Sequence, residues 1–147
     1  ARALTGKKKM PGKTSFLLTI LAKIFSYRCK EYTFQSAEYN SRGKKLLIDI
    51  SNGRRAGGGF HIAPEAKADD GWFDVVIANA LTPLQRLRYL PVIEKGKHLQ
   101  LPFIRHFHTK KIIIESDSLI QYHLDGEYYT DKKIEAEIIP AKLSFRY

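Results

Sequence analysis

Two short stretches of the chain hold carboxylates in settings that suit chemistry. The first is Asp69-Asp70-Gly71, near the end of Asn52–Asp74, NGRRAGGGFHIAPEAKADDGWFD. Aspartate and glycine suit tight turns for local reasons, and a turn ahead of a strand is a sufficient account of them. One carboxylate with main-chain carbonyls and water also suits a hard cation, Mg²⁺ or Ca²⁺. The same segment carries Gly57, Gly58 and Gly59 in a row. Each forfeits roughly 0.5–1 kcal/mol of backbone entropy relative to alanine, which points to close backbone approach or positive φ. The second stretch is Leu124-Asp125-Gly126-Glu127. Asp-Gly is a strong hairpin signal, but a hairpin has no need of Glu127. A carboxylate just past a tight turn is held firmly, and it can bind a metal or accept a proton from a substrate hydroxyl.

Other constellations are weaker. His106 and His108 stand two apart in a strand-like run and therefore share a face. A zinc site would need further ligands. His61, His98 and His123 are scattered, and Cys29 has no partner near it in sequence. Gly6 to Thr14, GKKKMPGKT, imitates a phosphate-binding loop. It has one residue too many before Gly-Lys-Thr, follows no strand, and loses an amide donor at Pro11. No G-x-S-x-G nucleophile motif is present.

The elements that must position these residues read mainly as strands. Residues 14–27 have helical spacing, with Phe16, Leu17, Ile20, Leu21, Ile24 and Phe25 on one broad apolar face and Thr14 or Ser15 as cap. Tyr32 and Phe34 then alternate with polar residues, and Lys45–Ser51 is a second strand after a turn at Asn40–Gly43. Phe60–Ala63 is a short apolar piece ended by Pro64, and Trp72–Ala80 is a buried-type strand. Leu81–Leu99 predicts a helix. Thr82 caps it, Pro83 opens it, Leu84, Leu87, Leu90 and Ile93 form an apolar stripe, and Gly96 can stop it. Pro91 predicts a kink or a break within it. Phe103–Glu115, Leu119–Leu124, Glu127–Thr130, Ile134–Ile139 and Lys142–Tyr147 read as successive strands. Short turns between strands favour antiparallel pairing, as in a sandwich or barrel.

The 147 residues make about one domain, and 44% hydrophobic content suffices for a core. The single cysteine excludes an internal disulfide and fits a reducing, cytosolic setting. No secretory signal is visible at the start of the chain. The apolar run Phe16–Phe25 is too short to span a bilayer. A net charge of +10, dispersed in small Lys/Arg pairs, suits a polyanionic partner: phosphates, an anionic membrane surface or nucleic acid. No aromatic-basic RNA-binding motif accompanies it.

Taken in order, the string GGG-F-x-I-A-P-x-A-x-x-D-D-G, the helix TPLQRLRYLPVIEKGKH, LDGE and a C-terminal strand pair resemble the C-terminal domain of bacterial diacylglycerol-kinase-like lipid kinases. That family is related to sphingosine and ceramide kinases and more distantly to NAD kinases. The match covers most of residues 45–147. The resemblance implies a mainly β (α+β) fold, an antiparallel β-sandwich with one or two helices, forming the second of two lobes. The first lobe, a nucleotide-binding domain with a Gly-Gly-Asp-Gly-Thr motif, is not in this sequence, so residues 1–147 are expected to be one domain whose start can lie upstream. The resemblance also implies ATP- and Mg²⁺-dependent phosphorylation of a lipid hydroxyl at a membrane surface, by a cytoplasmic, peripheral protein with no nucleic-acid partner. Asp70 matches the family's metal-binding aspartate, with the carbonyls of Lys67 and Trp72. Asp125 and Glu127 match its catalytic carboxylates, and Glu127 is favoured as base because the turn already accounts for Asp125. Isolated from the first lobe, the chain is expected to be inactive. The rivals are a NAD or small-molecule kinase of the same superfamily, and a non-catalytic basic β-domain that binds nucleic acid or acidic membrane.

Overall fold

The computed structural model describes Thr19, residues 21–56 and residues 60–140. Residues 21–26 are helical (α1). Six strands follow, interrupted by one helix: β1 Lys30–Gln35, β2 Ser41–Ser51, β3 Phe73–Asn79, α2 Pro83–Glu94, β4 Ile104–Thr109, β5 Lys111–Leu124 and β6 Glu127–Glu137. They form one antiparallel sheet in the order β4-β3-β2-β1-β5-β6. The rest of the predicted 14–27 helix, the imitation phosphate loop, Gly57–Gly59 and the predicted strand Lys142–Tyr147 lie outside the described residues.

A single residue, Lys110, joins β4 to β5, yet the sheet order puts three strands between them. Consecutive Cα atoms are about 3.8 Å apart, so the sheet must bend until its β4 end meets β5. The Lys110 carbonyl accepts from the Ile138 amide at 2.9 Å, which ties the end of β6 to the same corner. The bend encloses one core. Tyr32, Phe34, Val75, Ile77, Phe107, Ile112, Ile114 and Ile120 are its buried members, with Ile48, Ile50, Tyr122 and Ile134 packed against them. Every strand contributes to this cluster, from β4 at one edge to β6 at the other. This sandwich-like curl is the mainly β fold expected from the sequence.

Several boundaries differ from the sequence expectation. The predicted strand Phe103–Glu115 is cut at Lys110, where the chain turns the corner. The three strands predicted between Leu119 and Ile139 fall largely within β5 and β6, two long strands with a register shift between Glu115 and Ile120. The turn expected at Asn40–Gly43 falls earlier. Ser36 Oγ accepts from the Tyr39 amide at 2.9 Å, and β2 has begun by Ser41. The apolar piece Phe60–Ala63 begins with an isolated bridge between Phe60 and Ala56.

The predicted start of α2 holds in atomic detail. Thr82 and Gln85 form a capping box, with the Gln85 amide donating to Thr82 Oγ1 and the Thr82 amide donating to Gln85 Oε1 at 2.9 Å. Its end is a Schellman motif. Gly96 adopts φ +67°, its amide donates to the Ile93 carbonyl, and the Lys97 amide donates to Val92. Pro91 sits inside the helix without breaking it, in the last turn before Glu94. The apolar stripe is covered only in part: no α2 residue is buried, Leu90 and Ile93 are half-buried, and Leu84 is 74% exposed. Arg86 instead anchors the helix, donating to the Ile24, Tyr27 and Leu81 carbonyls.

Candidate functional site

The distal halves of β5 and β6 form a two-stranded arm beyond the segment of β5 that pairs with β1. Lys30 Nζ braces it by donating to the Leu119 carbonyl at 2.8 Å. At its tip Leu124 pairs with Glu127 across the two-residue turn Asp125-Gly126. Both turn residues have positive φ, +48° and +92°, the signature of a type I′ hairpin. The expected hairpin is therefore present, and Asp125 has its structural role in it.

Glu127 is held by a chain of contacts that begins in the core. Ile120 is buried there, and Tyr122, on the same face of β5, packs against the cluster. Tyr122 pairs with Tyr129 across the ladder, and their rings stack at 5.6 Å. Tyr129 Oη donates to Glu127 Oε2 at 2.7 Å. That bond raises the Tyr129 pKa, since losing the phenolic proton would set two anions side by side. Glu127 is exposed, with one oxygen engaged by Tyr129 and the other available to a substrate.

The loop before β3 places the other predicted residues. Asp70 Oδ1 accepts from the Trp72 amide at 2.9 Å, closing a turn in which Gly71 takes φ +73°. Asn52 Nδ2 and Arg54 Nε donate to the Ala68 and Ala66 carbonyls, fixing the loop against the end of β2. Lys110 Nζ lies 4.7 Å from the centre of the Trp72 ring. Both line a cleft of about 510 Å³ with Ser36, Glu38, Asn40 and Ile113. The Asp70 carboxylate bonds within its own loop and the Glu127 carboxylate to Tyr129, so each has its own partner. A carboxylate and main-chain carbonyls, such as loop 67–72 carries, are donors of the all-oxygen kind that Mg²⁺ prefers.

A third cluster was only half visible in the sequence. Asp74 on β3 pairs in register with His108 on β4, and His106 stands diagonally across. Asp74 Oδ1 lies 2.8 Å from His106 Nε2 and 3.2 Å from His108 Nε2. Sequence spacing put the two histidines on one face but gave no third group. Only the β3–β4 register supplies Asp74.

The sequence model of one family, the YegS C-terminal NAD kinase beta sandwich-like domain, matches residues 1–146. The chain belongs to this family. Among curated relatives of this YegS-type domain, proteins named "Probable lipid kinase YegS-like" match at 28% identity over 145 residues in Shewanella frigidimarina and 30% over 139 residues in Xanthomonas axonopodis pv. citri. The alignments cover 99% and 94% of the chain but 47% and 45% of those proteins. The YegS-type chain thus spans about half the length of the curated relatives it matches. A solved diacylglycerol kinase from Bacillus anthracis superposes with a TM-score of 0.64 at 19% identity, over 88% of this chain and 46% of that one. At that identity the match speaks for the fold. Among the described residues no helix is long and apolar enough to cross a membrane.

Proposed function

We propose that this YegS-type domain is the C-terminal lobe of an ATP- and Mg²⁺-dependent lipid kinase whose substrate is a lipid hydroxyl of the diacylglycerol class. The observation that carries it is Glu127. It lies at the family's LDGE position, on a rigid type I′ hairpin, with one carboxylate oxygen fixed by Tyr129 and the other available. The names of the curated relatives point to the same chemistry.

In this scheme ATP is held mainly by a separate N-terminal nucleotide-binding lobe. Glu127 accepts the proton of the lipid hydroxyl as its oxygen bonds to the γ-phosphorus. The bond from the γ-phosphorus to the β–γ bridging oxygen breaks, and ADP leaves. Asp125 contributes by shaping the turn. Asp70, with the Lys67 and Trp72 carbonyls, would hold Mg²⁺ in the loop before β3; the ion supplies local charge neutralisation there. The +10 net charge favours a peripheral position on an anionic, cytoplasmic membrane face, each Lys or Arg near the surface contributing about 1 kcal/mol.

The test uses the natural full-length protein with labelled ATP and Mg²⁺. Vesicles carrying diacylglycerol or other lipid alcohols are compared with NAD and small-molecule alcohols. Phosphate transfer to a lipid hydroxyl is the expected result. Transfer only to NAD or a soluble alcohol, or none, would overturn the proposal.

A further inference from the structure

The Asp74–His106–His108 cluster lies on the face of β3 and β4 opposite the core, because Val75, Ile77 and Phe107 alternate with its members and point the other way. Loop residues Ala63 and Ala66, buried against Val76, cover this face and leave Asp74 fully buried. Both histidine Nε2 atoms approach the same oxygen, Asp74 Oδ1. The other oxygen, Oδ2, is buried without a hydrogen-bond partner among the described residues. A buried carboxylate in this state is costly unless something else engages it.

We propose that Asp74, His106 and His108 form a binding site for a divalent first-row transition ion of the Zn²⁺ or Fe²⁺ class. One carboxylate and two imidazoles are a donor set for such ions, whereas Mg²⁺ prefers oxygen throughout. The ligating atoms lie within 4.8 Å of one another. Bonds of about 2.0–2.1 Å place tetrahedral ligands roughly 3.4 Å apart, so the 2.8 and 3.2 Å oxygen–nitrogen distances need only open slightly to admit an ion. An outer partner is close by. Glu65 Oε2 lies 4.0 Å from His106 Nδ1, outside hydrogen-bond distance but near enough for a small side-chain movement to let it accept that N–H and hold Nε2 toward the metal. His108 is half exposed, which opens the remaining coordination positions to water or a ligand. The site is separate from the proposed chemistry at Glu127, which lies on the core-facing side of β6.

The test is metal binding by the purified, chelator-stripped chain, so its outcome does not depend on the lipid-kinase proposal. Zn²⁺, Co²⁺ and anaerobic Fe²⁺ are titrated by calorimetry, with Mg²⁺ and Ca²⁺ for comparison. Bound metal is counted by mass spectrometry, and Co²⁺ coordination is read from its visible bands. One transition ion per chain is expected. His108→Ala, at a half-exposed position that leaves folding intact, should weaken binding more than about a hundredfold. Glu65→Gln should weaken it about tenfold or more, as outer partners do. His123→Ala, on the arm, should bind as the parent does. Absence of transition-metal binding at micromolar concentrations, affinity unchanged by both His106→Ala and His108→Ala, or a preference for Mg²⁺ or Ca²⁺ would overturn the proposal.

Discussion

Tyr129 Oη donates a 2.7 Å hydrogen bond to Glu127 Oε2, from two residues further along the same face of β6. The contact takes one carboxylate oxygen, and in the proposed mechanism the other receives the substrate proton. Tyr129 is a positioning residue in that scheme: it holds the rotamer of Glu127 and itself stacks on Tyr122.

Tyr129→Phe keeps the stacking surface and removes the bond. In full-length protein it should lower kcat by about tenfold, less than the 10²–10⁴ that the general base as a whole supplies, and leave the lipid KM nearly unchanged. The same bond raises the Tyr129 pKa. Absorbance titration should therefore show a high-pH phenol that moves back toward its ordinary value in Glu127→Gln, where the acceptor carries no charge.

Asp125 and Glu127 should separate cleanly. Asp125 sits at φ +48° to make the turn, a conformation asparagine also tolerates. Asp125→Asn is expected to retain most stability and most activity. Gly126 stands at φ +92° with open space where a Cβ would go, so Gly126→Ala meets backbone strain alone. It should cost about 1–3 kcal/mol in urea unfolding.

Tyr32 gives the domain an alkaline limit. Burial in the core, with a smaller contribution from Tyr27, pushes its pKa from near 10 to about 12. A raised folded-state pKa contributes stability that is present below pH 10 and lost as pH rises toward 12. Two units correspond to about 2–3 kcal/mol. Urea midpoints should fall over that window, and more steeply in the parent than in Tyr32→Phe.

His98 should set an acid limit. It is 1% exposed, its Nε2 lies 2.9 Å from the Ile62 carbonyl, and its Nδ1 has no partner among the described residues. Burial lowers its pKa. The neutral ring is the folded form, so its stability contribution is complete above about pH 6.5 and is lost as pH falls through the depressed folded value. Thermal midpoints of the parent should drop through that range, and those of His98→Gln should drop less.

The sequence showed local features well because they rest on local chemistry. Asp125-Gly126 needs only its own φ angles, and the α2 cap needs only Thr82, Pro83 and Gln85. The corner at Lys110 escaped notice because Phe103–Glu115 is one unbroken strand-like run, and nothing in it reports that the sheet folds back there. The α2 stripe misled because amphipathic spacing announces a face without saying what covers it. Asp74 was invisible as a partner of His106 and His108 because its place depends on the β3–β4 register, set by residues more than thirty positions away.

The most direct test of the account is Glu127→Gln in the full-length protein, assayed for Mg²⁺-dependent phosphate transfer from ATP to diacylglycerol in vesicles. Glutamine keeps the size of the side chain and its bond to Tyr129 but cannot take a proton. A fall in kcat of about 10²–10⁴, with folding and ATP binding intact, is predicted. Parent-like turnover by Glu127→Gln would contradict the assignment of the base.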